Sequence, residues 1–206
     1  IFISHEHPDH LNFDTLKKIY SINNNITCIF PFRKDETVKK VIEKIGFKFK
    51  FIRQNEEKFF LNDKDFVKYF SNKDEGDHTI AFSINEKVII NQNDDYTPSN
   101  IIQRINKEFS KIDILFTQFS LAGYYGNSDN PEMIKKNGHD FHLQRVVNYK
   151  KKFNAKMVVP FASYVYFCKN TNKYLNNFSV KLEEVLHALG NDVCQLVYYN
   201  DYIYLN

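Results

Sequence analysis

The sequence has 206 residues, of which 43% are hydrophobic and 26% are charged. This size and composition predict one globular domain over residues 1–206 and exclude an intrinsically disordered chain. The formal net charge of +3 comes from dispersed lysine pairs and one triplet, Lys150 to Lys152, so a nucleic-acid partner is not indicated.

The three cysteines, Cys28, Cys168 and Cys194, lie far apart in the sequence, and each is surrounded by apolar residues. We interpret them as reduced thiols in the core, which favours a cytoplasmic protein. No apolar stretch is long enough to span a bilayer and no signal peptide is visible, so no membrane partner is expected. Because the sequence has no initiator Met and opens inside a predicted strand, we interpret it as a fragment of a longer chain or as a processed form.

The first ten residues combine a short apolar run with residue types that bind metals. Residues 1–3 predict a buried strand, and three of the seven histidines follow within six positions, together with two carboxylates: His5, Glu6, His7, Asp9 and His10. Imidazole and carboxylate groups are donors that zinc, iron and manganese accept. Pro8 disfavours helix at His7 and predicts a turn. A polar loop or a tag remnant is the alternative, but the interrupting residues and the regular flanks favour a metal site.

The following segments predict helices and strands in alternation. Hydrophobic periodicity indicates a helix over 11–20, a strand over 26–32, a helix over 36–45 closed by Gly46, and a strand over 47–51. Asp9 and His10 would then stand at the N-terminus of the first helix. Phe47, Phe49 and Phe51 alternate with lysines and isoleucine, which we interpret as one buried strand face, with a nucleic-acid-binding stripe as the alternative.

Carboxylates follow a predicted strand in the middle of the chain. Strands over 79–84 and 87–91 flank Asn85-Glu86, a two-residue spacing typical of a hairpin. The second strand leads into Asp94 and Asp95, and a sheet delivers carboxylates to its C-terminal edge in this way. An aspartate that caps the next turn or the helix at Ser99 is the other interpretation.

The rest of the chain continues the alternation. We predict a helix from Ser99, a strand over 113–116, helix over 131–154, a strand over 156–160, a helix over 178–189 and a final hairpin of strands 193–199 and 202–205. His139 and His142 are three residues apart on a predicted helix and could face the same way as ligands do, although exposed helix histidines are commoner.

The pattern His5-x-His7-x-Asp9-His10, after a strand and before a helix, resembles the signature of the metallo-β-lactamase superfamily. The resemblance implies an α/β fold, the αββα sandwich, here expected to lack its N-terminal strands, and one or two divalent metal ions, with zinc expected first and iron or manganese as alternatives. It implies metal ligands at His5, His7, Asp9, His10 and Asp94, with Asp95 as the second choice for the last. Asp9 is also implied as the catalytic residue that holds or deprotonates the nucleophile.

Three further segments resemble one subgroup of that superfamily, the hydrolase-like domain of CMP-N-acetylneuraminate hydroxylase and its bacterial relatives. They are Asn91-x-Asn93-Asp94, Thr117 to Ser120 and the stretch from Arg145 through Val159 to Tyr164. The sequence departs from the superfamily where a late histidine ligand is usual, because Ala162 and Ser163 stand there. His78 is the candidate for the middle histidine, and a turn residue is its alternative interpretation.

Three functions follow as hypotheses. The first is a metal-dependent hydrolase that uses a metal-bound water on a phosphoester, amide or lactone-like bond of a small molecule. The second is a non-haem iron oxygenase or hydroxylase component that acts on a nucleotide sugar and receives electrons from a partner protein. The third is a non-catalytic relative with a degenerate metal site, since the late histidine is missing.

Overall fold

Two β-sheets form the centre of the molecule in the computed structural model, which describes residues 1–72, 77–198 and 200–205. The smaller sheet pairs β1 (Thr27–Pro31) with β2 (Lys48–Ile52) in parallel. The larger sheet has the strand order β3 (Phe59–Phe60), β4 (Phe66–Phe70), β5 (Thr79–Ile84), β6 (Lys87–Asn91), β7 (Ile112–Thr117) and β8 (Ala155–Pro160). Its first four strands pair antiparallel and its last three in parallel.

Helices connect and cover the sheets. They are α1 (Phe13–Ile22), α2 (Thr37–Ile45), α3 (Ser99–Glu108), α4 (Pro131–Ile134), α5 (Phe141–Lys152) and α6 (Leu182–Leu189). A π-helical segment (Lys135–Asp140) joins α4 to α5, and a 3-10 helix (Lys173–Phe178) precedes α6. Across the described ranges, none of the helices has the length and apolar character that crossing a bilayer requires.

The packing produces four layers. Ile29 and Ile52 of the small sheet pack against Tyr69 and Ile80 of the large one, so the sheets bury their inner faces against each other. Residues of α1 and α2 cover the outer face of the small sheet, and residues of α3 and α5 cover that of the large sheet. This is the predicted αββα arrangement, in which every sheet face is covered because the strands carry apolar residues on both sides.

The hairpin of β5 and β6 has the predicted bounds. Asn85 and Glu86 connect the strands with φ angles of 49° and 64°, the left-handed backbone that a two-residue hairpin turn of type I′ requires. Because the hairpin fixes the register of β6, it also fixes where the residues after Asn91 emerge from the sheet.

The opening residues attach to both sheets. The amide of Ile3 donates to the Ile29 carbonyl over 3.1 Å, and the amide of Ile29 donates to the Ile1 carbonyl over 2.9 Å. The Tyr69 hydroxyl, fully buried in the large sheet, lies 3.1 Å from the Ile3 carbonyl oxygen and 3.2 Å from that of Ile29. These contacts fix the backbone immediately before Ser4 and His5.

Two predicted element bounds were wrong at their N-termini. The first helix begins at Phe13, since the Asn12 side chain accepts a hydrogen bond from the Thr15 amide and caps it. Asp9 and His10 therefore lie in a separate turn. The last helix begins at Leu182 rather than at 178, because residue 178 ends a separate 3-10 helix. The Glu184 carboxylate accepts a hydrogen bond from the Lys181 amide and caps the start of the helix.

The predicted C-terminal hairpin was also wrong. Residues 193–195 pair with β8 instead, since the Val158 amide donates to the Val193 carbonyl over 2.7 Å and the Gln195 amide to the Val158 carbonyl over 3.0 Å. Position 199, where the first predicted strand ended, lies outside the described residues. Among the cysteines, Cys28 and Cys194 are buried as expected, whereas Cys168 is exposed.

The contact of the Tyr69 hydroxyl with the Ile3 and Ile29 carbonyl oxygens can be tested by mutation. We expect Tyr69→Phe to lower the free energy of unfolding by about 1–2 kcal/mol, because buried carbonyl oxygens lose a hydrogen-bond donor. Urea denaturation measures the change. Tyr202→Phe, at a tyrosine that is 77% exposed, is the matched control, and equal stabilities for the two variants would contradict the role of the buried hydroxyl.

Candidate metal centre

Backbone hydrogen bonds close the histidine-rich loop, residues 4–11. The amides of His10 and Leu11 both donate to the His7 carbonyl, over 2.9 and 2.8 Å, which closes the turn predicted at Pro8. Leu11 is buried in the core under the small sheet and anchors the far end of the turn. The loop therefore leaves β-like structure at Ile3, reverses, and returns to the core within eight residues.

A first group of donors forms around His5. Its imidazole is fully buried, and its Nε2 atom lies 2.9 Å from Nδ1 of His7 and 3.3 Å from Oδ1 of Asp77. The three ligand atoms all lie within 4.8 Å of one another. Two imidazoles and one carboxylate thus point at one small volume.

A second group shares His5 with the first. The His10 Nε2 atom lies 3.2 Å from Oδ2 of Asp94, and His5, His10 and Asp94 also present ligand atoms within 4.8 Å of one another. The other Asp94 oxygen accepts a 2.9 Å hydrogen bond from the Gln118 side chain. Because His5 belongs to both groups, the two lie side by side.

The donor chemistry fits a divalent cation. Two nitrogen ligands of a tetrahedral ion with metal–nitrogen bonds of 2.0–2.1 Å stand about 3.3 Å apart, close to the 2.9 Å between the His5 and His7 nitrogens. The buried Oδ1 atom of Asp77 has no hydrogen-bond partner among the described residues. A buried carboxylate oxygen normally has a partner, and a cation at this point would provide one.

The protonation state of His5 suits metal ligation, and those of His10 and Asp94 suit their ion pair. Burial lowers the pKa of His5, and the nearby His10 imidazole acts in the same direction, which keeps His5 neutral and able to donate a lone pair. The hydrogen bond between His10 and Asp94 raises the pKa of the His10 imidazole and lowers the pKa of the Asp94 carboxyl.

Ser4 supports both imidazoles from behind. Its Oγ atom lies 3.0 Å from Nδ1 of His5 and 3.3 Å from Nδ1 of His10. A hydroxyl oxygen has two lone pairs, so it can accept from the Nδ1–H group of both rings and leave both Nε2 atoms available to a cation. Outer partners fix ring orientation and tautomer in metal sites in this way.

The structure brings together His5, His7, His10 and Asp94, four of the five residues predicted as ligands. Asp9 lies at the rim, where its carboxylate is 3.5 Å from His10 Nε2 and its side chain is 74% exposed. Of the two adjacent aspartates, Asp94 faces the histidines, whereas Asp95 accepts a hydrogen bond from the Thr79 hydroxyl over 2.7 Å. The ligand roles themselves remain predictions.

Asp77 was missed by the sequence reasoning, which considered its neighbour His78. Of these two neighbours, only Asp77 contacts His5. His78 is fully buried on the other side, with its Nε2 atom 3.1 Å from the Gln54 amide nitrogen and its ring edge-on to Tyr69. A carboxylate two residues before a buried strand was the available signal.

The remaining candidates have other partners. His139 lies between the carboxylates of Asp140 and Glu184, at 2.8 and 3.0 Å. His142 accepts or donates a 2.7 Å hydrogen bond with the Tyr125 hydroxyl. Neither belongs to a donor group in the described parts of the chain.

Ala162 and Ser163, which stand where the superfamily usually has a late histidine ligand, have structural roles instead. Ala162 adopts a φ of 54° and its carbonyl accepts a 3.4 Å hydrogen bond from Gln118. The Ser163 hydroxyl accepts from the Phe119 amide over 3.0 Å. Gln118 therefore bonds to both Asp94 and the Ala162 carbonyl, and it links this segment to the candidate centre.

Comparisons with known proteins agree with the architecture. No protein-family model and no curated protein matches the sequence. The metallo-β-lactamase fold protein YhfI from Bacillus subtilis matches with a TM-score of 0.56 and 11% identity, over 95% of this chain and 73% of that one. Tm1679, a metal-dependent hydrolase of the β-lactamase superfamily, matches with a TM-score of 0.49 and 13% identity, over 96% and 75% of the two chains. The chain has the metallo-β-lactamase fold.

The buried His142 predicts a pH dependence of stability. Burial lowers its pKa to about 3, and the nearby Arg145 charge acts in the same direction. The unfolded chain, with a histidine pKa of about 6.5, binds a proton that the folded chain excludes, so stability falls as the pH drops from about 6.5 toward 3. Between about pH 6.5 and pH 5 this contribution is about 2 kcal/mol.

Chemical denaturation at several pH values measures the effect. We expect His142→Gln to lose less stability on acidification than the unchanged protein, whatever its stability at neutral pH. His187→Gln, at an exposed histidine of α6, serves as the control. Identical acid sensitivity of His142→Gln and the unchanged protein would show that His142 is not kept neutral by burial.

Proposed function

We propose that the protein is a metal-dependent hydrolase that acts on a phosphoester, amide or lactone-like bond of a small molecule. The observation that carries the proposal is the convergence of His5, His7 and Asp77, beside His10 and Asp94, at one edge of a metallo-β-lactamase fold. His5, His7 and Asp77 would hold one divalent cation, and His10 with Asp94 would hold a second position.

A bound cation supplies Lewis-acid chemistry, because it polarises a substrate oxygen and lowers the pKa of a coordinated water toward neutrality. The chain's own groups supply the rest. Asp9 is exposed at the rim beside His10, where its carboxylate can accept a proton from an attacking water. The Gln118 amide holds Asp94 in place through a 2.9 Å hydrogen bond.

The donor set favours zinc and also supports a second function. Two imidazoles, one carboxylate and an open position characterise many catalytic zinc sites, but the same trio of ligands is used by non-haem iron oxygenases. The second candidate is therefore an iron-dependent hydroxylase component for a nucleotide sugar, supplied with electrons by a partner protein. A single-metal reaction suits both, since Ala162 and Ser163 replace the late histidine.

Removing the central donors tests the proposal. We expect His7→Ala and Asp77→Asn each to weaken metal affinity by at least about 100-fold, because even outer partners of metal ligands contribute 10–100-fold. Hydrolysis of bis-p-nitrophenyl phosphate, an anilide and a lactone should fall with it. The measurements are elemental analysis of the purified proteins and initial rates with each model compound.

His187→Ala and Asp129→Asn change the same residue types at exposed positions and should leave both measurements as they are. Metal content and rates unchanged in His7→Ala and Asp77→Asn would refute the proposed centre. Iron together with oxygen consumption, in place of hydrolysis, would favour the hydroxylase. A protein that binds no divalent metal would favour the non-catalytic relative.

A further inference from the structure

We infer that a cationic pocket beside the candidate metal centre binds the substrate, and that this substrate is a phosphorylated small molecule. The inference rests on the proposed function, for which it names the substrate class. The pocket has a volume of about 890 Å³, within the range of clefts that hold small organic molecules.

The charge of the pocket is concentrated. Arg33, Lys34, Arg53 and Arg104 line it, with Glu56 as the one carboxylate among the described lining residues. The whole chain has a net charge of only +3 and otherwise disperses its lysines. Four cations around one concave volume focus a positive potential that raises the local concentration of anions.

Three of these cations have charge available for a ligand. Lys34, Arg53 and Arg104 are exposed and form no ion pair within the described ranges. The Arg53 guanidinium lies 5.0 Å from the centre of the Phe32 ring, a stacking contact that orients its planar fork and leaves its edge for hydrogen bonds.

The floor of the pocket is held rigidly. Asn55 adopts a φ of 64°, its amide donates to the Tyr69 carbonyl over 2.7 Å, and its side chain exchanges two hydrogen bonds with the Ser71 backbone. The Glu57 carboxylate accepts from the Arg53 amide over 3.0 Å. These bonds fix the turn after β2 before any ligand arrives, which lowers the entropy lost on binding.

Two contacts join the pocket to the metal centre. The Arg33 guanidinium lies 3.7 Å from the carboxylate of Glu6, the residue between His5 and His7. On the other side Gln54 contacts His78, the residue after Asp77. Two lining residues of the pocket therefore contact chain neighbours of the donors, and a ligand anchored in the pocket can extend its scissile bond toward them.

Phosphate is the anion that this wall matches best. Guanidinium groups bind phosphate oxygens through paired hydrogen bonds, and a phosphate monoester carries about −1.5 to −2 charge. Several arginines around one volume suit a group of that charge better than a single carboxylate, which one arginine can neutralise.

Isothermal titration of the metal-loaded protein with inorganic pyrophosphate tests the inference. We expect saturable binding that the double variant Arg53→Gln, Arg104→Gln weakens by roughly tenfold or more, since hydrogen bonds to charged groups are among the strong ones. The double variant Lys151→Gln, Lys169→Gln removes two exposed lysine charges elsewhere and should keep its affinity. Metal content should not change in either, and each single arginine variant should show part of the loss.

Two further titrations are needed, one with citrate as the ligand and one of the His7→Ala variant with pyrophosphate. Citrate that binds as tightly as pyrophosphate would overturn the phosphate class, and so would pyrophosphate binding that is insensitive to Arg53→Gln and Arg104→Gln. Binding lost in His7→Ala but kept in the arginine variants would place pyrophosphate on the metal and overturn the pocket. Failure of the hydrolase proposal would appear separately, as unchanged metal content and model-compound rates in His7→Ala.

Discussion

The buried imidazole of His5 is the constraint on which the site depends. A fully buried ring whose Nε2 atom faces another imidazole at 2.9 Å and a carboxylate at 3.3 Å has more acceptors around it than protons to share. Burial keeps the ring neutral, and a cation among these atoms would satisfy the two imidazole nitrogens and the Asp77 oxygen together. The rest of the fold serves to hold this arrangement in place.

The two sheets act together in holding it. Residues 1–3 bond to Ile29 of the small sheet, and the Tyr69 hydroxyl of the large sheet reaches the same backbone. Asp77 lies two residues before β5, and Asp94 follows β6, so the hairpin with its two left-handed residues sets both carboxylates relative to the histidines. Side chains mounted at the ends of paired strands are positioned more precisely than side chains on long loops.

Local patterns in the sequence predicted most elements and the histidine cluster. The hairpin around Asn85 and Glu86 was predicted with its correct bounds, because its turn chemistry is local. The sequence pattern could not show which of Asp77 and His78 lies beside His5, since a shift of one residue moves every side chain of a strand to the other face. The C-terminal hairpin failed for a different reason: residues 193–195 pair with β8, and such a long-range pairing leaves no local pattern. The cationic pocket gathers residues that follow β1, β2 and β4 and one from α3, so the sequence does not show it either.

The central claim is that one cation is held by His5, His7 and Asp77. Anomalous diffraction from crystals of the metal-loaded protein, collected at the absorption edge of the metal found by elemental analysis, tests it most directly. We expect a peak within about 2.0–2.2 Å of His5 Nε2, His7 Nδ1 and an Asp77 oxygen. A peak elsewhere, or a fully loaded crystal with His78 in place of Asp77 beside the metal, would contradict the account.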